Sequence, residues 1–155
     1  MQISKPVRVE RTYTQKIDAT PDDVFPLLCP VREAEWAQGW APTRVYSDSG
    51  FAEAGCVFLT RDRLGESVWM ITRHEPQRRF LEMVKVIPGV TAGKITITLR
   101  ENQERGTDAQ ITYAFTALGE AGERFVQDFT ESYYAEFMRH WEAELNDYIR
   151  AGKTS

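Results

Sequence analysis

Between Ala121 and Arg150 large apolar residues return at helical spacing: Phe125, Phe129, Tyr133, Phe137, Trp141, Leu145 and Ile149 in steps of four, with Val126, Met138 and Tyr148 beside them. Side chains spaced in this way stack along one face of a helix. Arg124, Asp128, Glu131, Arg139, Glu142, Asn146 and Arg150 fall on the opposite, polar side. The spacing predicts one amphipathic helix of about thirty residues, a rod of ~45 Å at ~1.5 Å per residue. That is well beyond the ~10–14 residues usual in globular proteins. A helix so long and so one-sided needs a broad apolar surface to lie on. Its rings either fill a core or, because large rings spaced along a stripe leave gaps, border a hollow.

The rest of the chain supplies strands. Val7 to Ile17 shows period-two alternation with Thr and Tyr, but its odd face, Val7, Val9, Arg11, Tyr13, Gln15 and Ile17, is only half apolar. Such a face is either partly solvated or lines a polar part of a cavity. Further strand-like runs are Arg44–Ser47, Cys56–Arg61, Ser67–His74, Arg79–Ile87, Lys94–Arg100 and Ala109–Ala117, separated by short turn signals such as Asp48-Ser49-Gly50 and Pro88-Gly89. Short turns force antiparallel hairpins, since a parallel return needs a crossover of about a dozen residues. Pairing Leu99 with Ala109, Ile97 with Ile111 and Ile95 with Tyr113 places those residues and Phe115 on one core face. Pairing Arg61 with Glu66 sets Phe58 opposite Trp69 and Cys56 opposite Ile71.

Between the first strand and this meander, Thr20-Pro21-Asp22-Asp23 reads as a helix start, with Thr20 at the cap and Pro21 at the first helical position. A short helix carries Val24, Phe25, Leu27 and Leu28 inward, and Val31 to Gln38 can form a second. The indoles of Trp36 and Trp40, next to Gly39 and Pro42, act either as a lid over an opening or as a plug in the end of the domain.

With 155 residues, 42% apolar and 27% charged, the chain is expected to form a single domain spanning residues 1–155. A net charge of −4 without a basic cluster argues against nucleic acid as the main partner. No run approaches the ~18–20 apolar residues of a membrane span, and the first nine residues lack the apolar core of a signal peptide, so a cytoplasmic location without stable membrane insertion is expected. Cys29 and Cys56 read as buried free thiols.

Catalytic or metal-binding patterns are absent from the sequence, so no cofactor and no metal are expected. The two histidines sit in unrelated settings: His74 beside Glu75 and Pro76 at a strand end, and His140 flanked by Glu136 and Glu144 on the helix edge. Arg73 and Arg11 either point into a cavity, where a guanidinium would grip a carboxylate or phenolate, or leave at the rim of the sheet. Glu82 is opposite in parity to Met83 and Lys85, so a charge must be accepted on one face of that strand.

This order of elements is α+β, with helices gathered on one side of a curved sheet. Together with Ile17-Asp18-Ala19-Thr20-Pro21-Asp22-Asp23-Val24-Phe25 at the strand-to-helix entry, and Trp69 to Thr72 with His74-Glu75-Pro76 and Arg79 in the central hairpin, it resembles the START-like superfamily of Bet v 1 proteins, polyketide cyclases and lipid-transfer domains. The segment from Cys29 to Trp40 and Gly55-Cys56-Val57-Phe58 resemble one bacterial branch of it. The resemblance implies a helix-grip fold: about seven antiparallel strands wrapped around the long C-terminal helix, with one or two short helices after the first strand. It also implies that a hydrophobic or amphipathic small molecule binds between helix and sheet. The expected lining is Phe58, Trp69, Arg73, Ile97, Tyr113, Phe115, Phe129, Tyr133 and Phe137, gated by Trp36 and Trp40. A cyclase- or aromatase-like enzyme, marked by a buried Arg or Tyr facing the cavity, and a chaperone-activator-like module with a solid core remain alternatives. A homodimer is compatible with either.

Overall fold

The computed structural model describes residues 1–152. Seven strands form one antiparallel sheet: β1 (Arg8–Ile17), β2 (Arg44–Tyr46), β3 (Val57–Asp62), β4 (Gly65–Glu75), β5 (Phe80–Ile87), β6 (Thr91–Glu101) and β7 (Thr107–Ala117). Their spatial order is β1-β7-β6-β5-β4-β3-β2, so β2 to β7 are a meander and β1 closes onto β7. The short helix α1 (Pro21–Val24) and two 3-10 turns follow β1, and α2 (Glu120–Asp128) and α3 (Glu131–Arg150) end the chain. This is the helix-grip arrangement.

The registers follow from the alternation of side chains. Ile95, Ile97 and Leu99 face Tyr113, Ile111 and Ala109, and all six are buried. Phe58 pairs with Trp69 and Arg61 with Glu66, while Cys56 continues the hairpin by accepting the Ile71 amide. β4 departs from strict alternation at one point. Between Ile71 and Arg73 the register with β5 shifts by one, and Thr72 is the extra residue of a bulge. The bulge turns Arg73 away from the concave face that Trp69 and Ile71 occupy.

The C-terminal rod is two helices rather than one. Phe129 leaves helical geometry with ψ 63°, and Thr130 caps α3 through its hydroxyl, which accepts the Tyr133 amide. This break changes the phase of the stripe. Tyr134, Met138, Leu145 and Tyr148 take the inward face of α3, whereas Tyr133 is 56% exposed. The capping pattern, Thr130 followed by Glu131 in the first turn, is visible in the sequence but is masked by the run of aromatics across it.

On the face of β1 that Ile17 shares, Arg11 is partly buried and Gln15 buried, and both turn to the backbone of the terminal helices. Arg11 Nε donates to the Phe129 carbonyl at 3.1 Å and Gln15 Nε2 to the Met138 carbonyl at 3.0 Å. Asn146 Oδ1 accepts the Asp18 amide and its Nδ2 donates to the Lys16 carbonyl, and Arg150 reaches Asp18 at 2.6 Å. α3 is thereby fastened along β1. At the other end Gly122 lets α2 approach the β5–β6 turn, because a Cβ there would lie 1.9 Å from the Val90 carbonyl oxygen.

Two substitutions test these joints by chemical denaturation. Thr130→Ala is expected to cost about 1 kcal/mol through the lost cap. Gly122→Ala is expected to cost about 2 kcal/mol or more by overpacking against backbone.

Candidate functional site

One end of the space between α3 and the sheet is filled. Phe115 meets Phe125 and Phe129 edge-on at 4.9 and 5.1 Å between ring centroids, and Phe125 stacks on Phe129 at 5.7 Å. Gly93 makes room for this cluster, since a Cβ on it would sit 2.6 Å from the Phe115 ring. Tyr134 lies beneath, donating its hydroxyl to the Ile111 carbonyl at 2.6 Å.

The other end holds a cavity of about 240 Å³. Phe58 and Trp69 from β3 and β4, Met83 from β5, Ile95 and Ile97 from β6, and Tyr113 from β7 make its floor. α3 contributes Phe137, His140, Trp141 and Glu144, spaced three and four apart on one face. The segment after α1 closes the roof with Leu28, Pro30, Glu33, Ala37, Gln38, Gly39 and Trp40. The walls are mainly aromatic. Phe58 and Trp69 stack at 5.2 Å, and Trp40 meets both edge-on at 6.0 and 5.9 Å.

Of the residues expected to line a ligand site, Trp40, Phe58, Trp69, Ile97, Tyr113 and Phe137 border this cavity, and the other five do not. Trp36 is buried beside it as a plug, donating to the Leu27 carbonyl at 3.0 Å and stacking on Trp141 at 5.8 Å. Trp40 is also held, by a bond to the Pro30 carbonyl, so neither indole is a free lid. Phe115 and Phe129 belong to the filled end, and Tyr133 is exposed because the helix break puts Tyr134 inside. Arg73, turned out by the bulge, lies over the Phe80 ring at 4.4 Å and bonds Glu75 at 2.6 Å on the convex face. Glu82 shares that face with Lys94, whereas Lys85 is the charge on the concave side, its ammonium 4.7 Å from the Trp69 ring centre.

Sequence reading missed Glu33. It sits in a polar run, Arg32-Glu33-Ala34-Glu35, that looks solvated, but it lines the cavity. Burial among apolar walls pushes its carboxyl up to about 8, because the charged form is disfavoured there. The Tyr113 hydroxyl is likewise pushed up, first by burial and then by Glu33. No hydrogen bond from a described residue satisfies either group. His140 and Glu144, by contrast, pair at 3.2 Å at the cavity edge, and Glu144 also accepts the Gln38 amide.

Among the described residues no group of three or more His, Cys, Asp or Glu could hold a metal, and no helix is long and apolar enough to cross a membrane. Cys29 and Cys56 are buried and free.

No family model matches the sequence, and no curated protein matches it. Solved structures match the fold. A point mutant of norcoclaurine synthase from Thalictrum flavum, in complex with a transition-state analogue, aligns over 98% of this chain and 99% of its own at TM-score 0.71 and 12% identity. Ara h 8.0201 aligns over 94% and 99% at TM-score 0.64 and 9% identity. DynU16, from the dynemicin biosynthetic locus, aligns over 94% of this chain and 48% of its own at TM-score 0.59 and 18% identity. The architecture is the Bet v 1-like helix-grip fold.

The raised Glu33 carboxyl has a consequence for stability. An unfolded glutamate titrates at ~4.3, so between there and about 8 the native state holds the extra proton, and stability falls as pH rises through that window. Glu33→Gln removes this loss. The gain in melting temperature over wild type is expected to be larger at about pH 9 than at about pH 5, and equal gains would show that Glu33 is not held protonated.

Proposed function

We propose that the protein binds a hydrophobic or amphipathic small molecule in the cavity between α3 and the sheet. The observation that carries this reading is the cavity itself: about 240 Å³ bounded by Trp40, Phe58, Trp69, Tyr113, Phe137 and Trp141, with a few polar groups at its edge. Apolar walls with a small number of placed polar groups are the usual make-up of a ligand site. Somewhat below the ~300–1,000 Å³ typical of such sites, the space suits a compact ring system or a short chain better than a two-chain lipid.

A second reading is a cyclase- or aromatase-like enzyme. Tyr113, a buried tyrosine facing the cavity, and Glu33, a carboxyl held near neutral pH, are groups that acid–base chemistry would use. A norcoclaurine synthase among the fold neighbours keeps it in view. A module acting through its surface alone finds less support, since the space under α3 is not solid.

Two measurements test binding. Native mass spectrometry of the purified protein would show a retained small molecule. Calorimetry with 1-naphthalenemethanol is expected to give binding with a negative heat-capacity change. Ala37→Phe, which fills the roof of the cavity, is expected to abolish it while the protein still melts cooperatively. Binding that survives this substitution would place the ligand elsewhere.

A further inference from the structure

The polar groups of the cavity are not equivalent. Glu144 is already engaged, with one oxygen on His140 and the other on the Gln38 amide. Glu33 on the roof and Tyr113 on β7 have no hydrogen-bonding partner among the described residues, and neither is sealed away from the cavity. We propose that the ligand is an amine, with its apolar body between the aromatic walls and its protonated nitrogen against the Glu33 carboxylate. This rests on reading the cavity as a small-molecule site.

Three features favour a cation over a neutral or anionic ligand. The cavity has carboxyls but no lysine or arginine in its lining, so an acid would meet Glu144, and Glu33 wherever it is ionised, with no fixed positive charge to offset them. The walls present the faces and edges of six aromatic rings, whose electron-rich faces attract ammonium groups. The chain makes this contact itself just outside the cavity, where the Lys85 ammonium rests on Trp69. A half-buried carboxyl among apolar walls is also costly to leave without a partner, and an ammonium matches both its charge and its hydrogen-bonding capacity.

The proton balance is explicit. In the empty cavity near neutral pH Glu33 holds a proton, because burial disfavours its charge. An entering ammonium ion pairs with the carboxylate, and the carboxyl proton leaves to solvent. Above the range in which Glu33 is protonated there is nothing to displace. Amine affinity therefore rises with pH up to about 8 and then levels until the amine itself loses its proton. The other groups facing Glu33 are Tyr113 from β7 and the His140–Glu144 pair from α3.

Calorimetry with three probes of one shape tests this: 1-naphthalenemethylamine, 1-naphthalenemethanol and 1-naphthoic acid. At about pH 8 the amine is expected to bind about tenfold or more tightly than the alcohol, with the acid weakest. Its affinity is expected to climb about tenfold per pH unit below that, with about one proton released. Glu33→Gln is expected to bring the amine down to the alcohol and flatten the slope. An amine that binds no better than the alcohol overturns the proposal but leaves small-molecule binding standing. So does a slope that persists in Glu33→Gln, or one that disappears in His140→Gln instead. If none of the three binds, the cavity reading fails with it. The wild-type pH profile decides the matter even if a variant does not fold.

Discussion

The attachment of α3 to β1 determines where empty space can exist in this protein. Polar side chains that alternation puts on the inner face of β1 reach main-chain carbonyls of the terminal helices, Arg11 at Phe129 and Gln15 at Met138. Asn146 returns two bonds to the backbone at the end of the strand. The Gln15 bond is buried and the others partly so, and a buried partner left unmatched costs about 1–3 kcal/mol, so helix and strand hold each other in one register. The sheet then curves away from the helix toward β5, β4 and β3. A straight helix fastened to one edge of a bowl cannot also touch the far side.

The chain fills that separation differently at its two ends. Near the break between α2 and α3, Phe115, Phe125 and Phe129 close it with interlocking rings, and Gly93 gives up its side chain to let them in. Toward the end of α3 the segment from Leu28 to Trp40 bridges the gap instead, tied down by two indole bonds to carbonyls. A bridge of this kind covers without filling. The polar groups it brings are few, and Glu33 is the one left without a partner.

Much of this was legible in the sequence, and the misses share a cause. All seven strands, the Ile97–Ile111 and Phe58–Trp69 pairings and the aromatic side of the last helix followed from periodicity, because a half-buried strand or helix must repeat at its own period. Periodicity failed where the chain changes phase. Thr130 restarts the helix and moves Tyr133 outside, and Thr72 adds a residue to β4 and moves Arg73 outside. Glu33 had no pattern to reveal it. Its position depends on how a short irregular segment folds back over a distant sheet, a tertiary fact that local composition does not carry.

The bulge at Thr72 also bears on how such a bowl tolerates a change in strand length. One strand here shows Trp69 and Ile71 to the interior before the extra residue and His74 after it, where the imidazole tucks against Phe25. Removing that extra residue would restore unbroken alternation while leaving Arg73 opposite Glu82 and His74 opposite Leu81, each on the face it already occupies. The loss of one codon there would thus straighten the strand and leave the chemistry of the inner surface as it is.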